Sequence, residues 1–221
     1  MNKLNHIAFI MDGNGRWGRK KGKGRNFGHI KGVEVVKSIV SESIKLKIPI
    51  LTFYVFSSEN WKRPQKEINF LFNLIKTYFL RETANLMKQN IRINILGNIN
   101  KLPSGIKKIL KNIKELTKKN KSIIVNLAIN YGSRDEILMA IKKTKKINLK
   151  NFQNNLYTNQ MPNPDILVRT GGFFRLSNFM LWQLAYAELF FLKKLWPDFN
   201  KKDLKSIIFK YSKIKRNFGA L

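Results

Sequence analysis

Short apolar runs alternate along this chain with longer stretches in which apolar residues return every three or four positions. The runs at about 6–11, 50–56, 91–96, 122–130, 165–169 and 187–192 read as strands. The stretches at about 28–47, 65–89, 104–119, 133–143 and 200–213 have helical periodicity. In the first of these Ile30, Val33, Val36, Ile39, Val40 and Ile44 share one face. Ser133 is placed to cap the fourth. A further helix is expected to begin near Asn178, and residues 145–164 read as loop with one short helix at about 151–157. Strands alternating with helices predict an α/β fold on a parallel sheet. No repeat and no linker breaks the order, so 1–221 is expected to form a single domain.

The stretch at 65–89 is apolar over more than one face. Ile68, Leu71, Phe72, Ile75, Tyr78 and Phe79 make one stripe, and Phe70, Leu74 and Leu86 extend it. Two readings are open. The helix is deeply buried, or it lays one face on the sheet and another on a long apolar ligand or partner.

Chemistry concentrates where the first strand ends. Asp12 closes the strand and Gly13, Asn14 and Gly15 follow it. Then Arg16, Arg19, Lys20, Lys21, Lys23 and Arg25 are set among glycines in what reads as a basic loop. A carboxylate, a glycine turn and a cation cluster can hold a polyphosphate and its metal: glycines admit backbone N–H groups to the anion and guanidinium groups bind its oxygens in pairs. Asp12 is a candidate ligand for Mg²⁺. Gly13 to Gly18 also spell G-x-G-x-x-G, but the acid precedes the glycines and basic sequence follows them, which is not the dinucleotide pattern.

Two other loops belong beside it. Residues 57–64, Ser-Ser-Glu-Asn-Trp-Lys-Arg-Pro, follow the second strand, and in an open parallel sheet such loops line the ligand crevice. Residues 169–178 put Arg169 and Arg175 about a Gly-Gly turn, with Ser177 and an expected helix N-terminus just beyond. That is a second anion site.

Composition narrows the chemistry. The chain lacks cysteine, which excludes disulfides, thiolate metal sites and cysteine nucleophiles. The triplet Trp196-Pro197-Asp198 resembles the acid loop of protein tyrosine phosphatases, but has no such nucleophile to serve. Two histidines leave little room for a zinc site. The net charge of +30 invites a nucleic-acid partner, yet lysine is scattered through every segment of a chain rich in Lys, Asn and Ile. That is the drift an AT-rich genome produces, no nucleic-acid motif accompanies it, and no nucleic-acid partner is expected. Attraction to an anionic membrane surface stays open. The longest apolar stretch, 179–192, contains Gln183 and Glu188 and is too short to span a bilayer. A cytoplasmic protein without a leader is expected, soluble or peripheral on the inner face of the membrane.

Eight motifs in order carry a resemblance. They are Met11-Asp-Gly-Asn-Gly-Arg-Trp17, Phe27-Gly-His29, Phe56-Ser-Ser-Glu-Asn-Trp-Lys-Arg-Pro64, Asn130-Tyr-Gly132, Arg169-Thr-Gly-Gly172, Arg175-Leu-Ser-Asn-Phe179, Trp182-Gln-Leu-Ala-Tyr-Ala-Glu-Leu189 and Leu195-Trp-Pro-Asp-Phe199. Together they resemble the cis-prenyltransferases, and most closely the bacterial undecaprenyl diphosphate synthases, over about 5–219. The resemblance implies a six-stranded, mostly parallel sheet surrounded by helices, with a hydrophobic tunnel between sheet and helices, in a homodimer. It implies elongation of farnesyl diphosphate by successive isopentenyl diphosphate units, each new double bond cis. The product would be a long polyprenyl diphosphate for the glycan carrier of the cell wall, and peripheral membrane contact would serve its release.

Roles follow from the same resemblance. Asp12 would manage Mg²⁺ and help the allylic diphosphate leave. Gly13, Asn14, Gly15 and Arg16, with Arg25, would hold that diphosphate, and Trp17 belongs to the same motif. Arg169, Arg175 and Ser177 would hold isopentenyl diphosphate. Glu188 would lend a carboxylate to the metal region beside Asp12, from the same subunit or from the other one. His29, Ser57, Ser58, Glu59, Asn60, Trp61 and Arg63 would surround the reacting ends, with Asn60 beside Asp12 in the catalytic pair. Arg216 and Gly219 match a C-terminal arginine–glycine element. The chain departs from the family at Phe173 and Phe174, where polar residues, often an acid and a histidine, are usual, and at Asn217, where a second arginine is common. Two other readings stay beside this one: a non-catalytic accessory prenyltransferase subunit, and a basic nucleic-acid-binding protein.

Overall fold

The six apolar runs form one sheet in a computed structural model that describes residues 2–216. The strands are β1 (His6–Ile10), β2 (Ile50–Ser57), β3 (Ile91–Leu96), β4 (Ile123–Tyr131), β5 (Ile166–Arg169) and β6 (Glu188–Phe191). Their order is β3-β4-β2-β1-β5-β6, and every neighbouring pair is parallel. Among the described residues the α-helices are α1 (Asn14–Lys20), α2 (Gly24–Lys45), α3 (Gln65–Lys88), α4 (Ser104–Leu116), α5 (Ser133–Lys143), α6 (Leu149–Asn154) and α7 (Lys201–Lys213). The α/β class, the parallel sheet and the positions of its strands are as the periodicity predicts.

Both faces of β1 are covered, which is why its sequence is apolar at consecutive positions rather than alternating. Ile7 and Phe9 point into the larger core with Leu51, Phe53, Ile39, Val168 and Trp196. Ala8 and Ile10 point the other way, against Leu167, Phe179, Met180 and Tyr131. Strand order runs outward from β1 in both directions. β2 lies on one side and β5 on the other, so the topological switch falls beside β1. A crevice opens there at the carboxyl ends of the strands.

Several expectations change. The basic glycine stretch is not all loop: residues 14–20 form α1, and α2 begins at Gly24 rather than Gly28. The two helices touch backbone to backbone. A Cβ on Gly28 would come 1.8 Å from the Asn14 carbonyl oxygen, and one on Gly18 would come 2.0 Å from that of Gly24. The glycines are therefore helix-packing residues as well as turn formers.

No helix starts near Asn178. Residues 177–187 are irregular, with left-handed backbone at Ser177, Asn178 and Met180. The chain is held there by local bonds, Asn178 Nδ2 to Glu59 and Ser133 N–H to the Asn178 carbonyl. Ser133 does not cap α5: Gly132 precedes the helix and the Ser133 hydroxyl accepts from Leu181 N–H. The short helix of the 145–164 segment is α6. Among the described residues no helix is long and apolar enough to cross a membrane.

Candidate active site

Asp12 leaves the end of β1 and is held on all sides. Its backbone carbonyl accepts from Thr170 Oγ1 at 2.8 Å and from Trp196 N–H at 3.0 Å. Its Oδ1 accepts from Arg16 Nη2 at 3.2 Å and its Oδ2 from Arg169 Nη2 at 2.9 Å. Arg16 comes from α1 and Arg169 from β5, where it pairs in register with Ile10. The Arg169 side chain is 3% exposed. Its Nη1 donates to Ser177 Oγ at 2.7 Å and to the Arg175 carbonyl. Burial pushes the guanidinium pKa of Arg169 down, against the hydrogen bond and charge of Asp12. Gly171 makes this closeness feasible. At φ 93° it has a backbone few side-chain residues adopt, and a Cβ there would lie 2.5 Å from Arg16 Nη2.

A second cation pair gathers on Glu67 of α3. Arg25 donates to Glu67 twice, Nε to Oε2 at 3.1 Å and Nη2 to Oε1 at 2.9 Å, and Arg63 Nη1 reaches Oε1 at 3.1 Å. Burial raises the Glu67 pKa, but the Arg25 bond and the charges of Arg25 and Arg63 outweigh it and hold the carboxyl below its ordinary value. His29 lies beside them. Burial first, then the charge of Arg63, brings its pKa down from 6.5 to about 4, so it is neutral near pH 7. Gly15 lies under the Arg25 guanidinium and Gly13 precedes α1.

A cavity of about 680 Å³ opens beside Asp12 and Arg63 at the strand ends. Its polar mouth has Asp12, Asn14, His29, Ser57, Glu59, Asn60, Arg63 and Ser177. Its walls are apolar: Val33 and Val36 of α2, Leu71, Leu74, Ile75, Tyr78 and Phe79 of α3, and Leu127 and Ile129 of β4. The main apolar stripe of α3 therefore borders the cavity, with Leu74 added from its extension. Three buried polar atoms near the mouth, Asn14 Oδ1, His29 Nε2 and Arg169 Nε, have no hydrogen-bond partner among the described residues. Such orphans are costly and belong where a ligand or water is received.

Other expected residues have structural tasks. Asn60 Oδ1 accepts from Ser57 N–H at 3.1 Å and, with Ser57, caps the 3-10 turn at 58–62. Ser58 Oγ donates to Glu59. Burial raises the Glu59 pKa, but hydrogen bonds from Asn178, Ser57 and Ser58 bring it below the ordinary value. Trp61 packs edge-on to Phe56 and Phe72 and donates to Asn130 Oδ1. Trp17 stacks on Phe27 and donates to Asp198 at 2.7 Å. Neither tryptophan lines the cavity.

Glu188 is not brought to Asp12. It opens β6 opposite Ile166, at the far end of the strands, and its Oε1 lies 3.6 Å from Arg216 Nε. The sheet register separates the two carboxylates within the chain. Arg216 also donates to Tyr211 and to the Tyr186 carbonyl. Asn217 and Gly219 lie outside the described residues.

Sequence reasoning missed Glu67 and Thr170. Glu67 stands four residues after Arg63, the spacing of a helical ion pair, and Thr170 sits inside the Arg-Thr-Gly-Gly turn.

A family model of undecaprenyl diphosphate synthases matches residues 10–219. The chain belongs to that family. It is a prenyltransferase. An isoprenyl transferase of Rickettsia bellii is 45% identical over 225 residues, covering 99% of each chain. One of Oceanobacillus iheyensis is 42% identical over 98% of this chain and 90% of its own. The crystal structure of lavandulyl diphosphate synthase from Lavandula x intermedia, in complex with dimethylallyl diphosphate, superposes with a TM-score of 0.92 at 32% identity. That match covers 97% of this chain and 98% of the other.

Asp12 suits Mg²⁺. That ion is commonly held by one or two carboxylates completed by water and substrate phosphates. Asp12 offers one carboxylate, 28% exposed, amid guanidinium groups fit for a phosphate. Among the described residues no three His, Asp or Glu side chains form a centre of their own.

Proposed function

We propose that this prenyltransferase condenses isopentenyl diphosphate units onto an allylic diphosphate, farnesyl diphosphate, with cis geometry, to give a long polyprenyl diphosphate of undecaprenyl type for the cell wall. The observation that supports this most is that Asp12, paired with Arg16 and Arg169, and Arg63, paired with Glu67, both line the polar mouth of one apolar cavity. Such a mouth suits two diphosphates, and such a cavity, read as the product tunnel, suits one hydrocarbon tail. The allylic diphosphate complex of the lavender synthase is in keeping with it.

Asp12 would hold Mg²⁺ through its carboxylate, with Asn60 near the reacting ends. The metal, when bound, would offset charge on the departing diphosphate. Arg16, Arg25 and the first-turn N–H groups of α1 would bind the allylic diphosphate and favour its departure, because donors fixed in place stabilise charge as it develops. Arg169, Arg175 and Ser177 would orient isopentenyl diphosphate. The apolar walls keep water from the allylic carbon while the new C–C bond forms. Neutral His29, with Ser57, Glu59 and Arg63, would line the approach.

The same reading makes the enzyme a cytoplasmic homodimer with peripheral membrane contact at product release, and gives Glu188 its metal role only across subunits. The exposed Tyr186 and Leu189 along edge strand β6 are in keeping with a partner there.

The test is incorporation of radiolabelled isopentenyl diphosphate into farnesyl diphosphate, with and without Mg²⁺, resolved on a reverse-phase plate. A Mg²⁺-dependent ladder ending at one long product is expected. A folded protein that incorporates no label with Mg²⁺ present would refute the reading.

A further inference from the structure

Phe173 stands where three guanidinium groups converge. Gly171 and Gly172, at φ 93° and 78°, turn the chain after β5, and their N–H groups donate to the carbonyls of Lys194 and Leu192 at 2.8 and 2.9 Å. The turn brings the next side chain back over the site. The Cζ atoms of Arg175, Arg16 and Arg169 lie 4.1, 4.8 and 5.8 Å from the centroid of the Phe173 ring. Arg16 and Arg169 also share Asp12. Arg175 pairs with no carboxylate among the described residues, and its charge meets the ring instead. Phe173 is 38% exposed and belongs to neither large apolar cluster, so core burial does not account for its position.

Three like charges in one crevice repel each other and spread when no anion is present. Asp12 gathers Arg16 and Arg169 at the cost of one N–H donor from each, and a carboxylate on Arg175 would likewise occupy donors a diphosphate needs. An aromatic ring attracts a guanidinium through its quadrupole and carries no net charge. It holds the cation and leaves the N–H groups for phosphate oxygens.

We propose that Phe173 is a positioning residue of the diphosphate site, its ring holding Arg175, with Arg16 and Arg169 beside it, in the arrangement an incoming diphosphate meets. The proposal rests on the reading of this cluster as a diphosphate site. Phe173 acts only through the guanidinium groups and takes no part in bond making.

Calorimetric titration with inorganic pyrophosphate tests it. Phe173→Leu and Phe173→Met keep most of the volume and lose the ring, and both should bind about tenfold more weakly than wild type. Phe173→Tyr keeps the ring and should stay within about twofold. On an Arg175→Gln background, Phe173→Leu should cost little more, because the ring works through that cation. In turnover, the KM for isopentenyl diphosphate should rise several-fold in Phe173→Leu while kcat holds.

Unchanged pyrophosphate binding in the Leu and Met variants overturns the proposal alone. So does a loss in Phe173→Tyr as large as in Phe173→Leu, or full additivity with Arg175→Gln. A wild-type protein that binds no pyrophosphate overturns the site reading and the proposal with it.

Discussion

Asp12 makes two ion pairs, and one partner, Arg169, is almost wholly buried. Replacing Asp12 by alanine removes the carboxylate offered to Mg²⁺ and leaves a buried guanidinium short of its counter-charge. Turnover in Asp12→Ala should fall by about 10²–10³-fold or more, measured by isopentenyl incorporation. A variant with near wild-type kcat would remove Asp12 from its role.

The histidines make a second case. His6 is fully buried between Thr52 Oγ1 and the Pro162 carbonyl, and burial brings its pKa from 6.5 to about 4. His29 is lowered to about the same value. The unfolded chain binds the proton more readily than the folded one in that window. Stability is therefore complete above about pH 6.5 and falls as the pH drops toward 4, with about 3 kcal/mol at stake for His6. Urea unfolding at a series of pH values should show that slope, and His6→Gln should flatten it.

Individual residues were legible where chemistry and spacing coincide, as at Asp12, Arg169 and Ser177. They were illegible where a role depends on what lies across space. Trp17 shares a motif with Arg16, yet one helical position sends it to Asp198. Glu67 escaped the sequence reading because Arg25 is 42 positions away.

At the scale of elements, the sheet was readable and one helix was not. Central strands such as β1 and β5, buried on both faces, leave continuous apolar runs, and the other strands still left runs rich enough in apolar residues to be seen. α1 was hidden because its sequence is glycine and cation, poor in helix propensity and without an apolar stripe. Its stability comes from contact with α2 through paired glycines. Gly28→Ala would drive a methyl group into the Asn14 carbonyl and push α1 away. It should destabilise the protein by about 1–3 kcal/mol, seen as a lower melting temperature, and weaken substrate binding in step. The expected helix after Asn178 failed for the opposite reason. There left-handed residues and bonds to Glu59 and Ser133 fix an irregular path.

α3 borders the cavity with Leu71, Leu74, Ile75, Tyr78 and Phe79. Burial also raises the Tyr78 hydroxyl to about 12, so it stays neutral in the apolar wall. On the proposed function, Ile75→Trp should shorten the products while the first condensation continues, read as a shift of the ladder on the reverse-phase plate.

For the whole molecule, charge is the dominant property. The net charge is +30 on 221 residues, and on the proposed function the substrates are anions. The field should draw diphosphates in, and salt should screen it. The value of kcat/KM should fall as the ionic strength rises from low salt to about 0.5 M, with kcat less affected. Flat behaviour would mean that the surface lysines are spectators.

The sheet order has a consequence for synthesis. β1 is the first strand to leave the ribosome, yet it occupies the middle of the sheet, with β5 on one side. Asp12 waits for an arginine 157 positions later in the chain. A nascent chain can assemble the β1–β2–β4 half early, but it carries an open edge until β5 arrives, and long-range pairing of this kind is slow and exposed to aggregation. The carboxylate and the buried guanidinium therefore meet only near the end of folding. A half-made chain lacks the Asp12–Arg169 pair, and a polypeptide that has made it has already added β5 to its sheet.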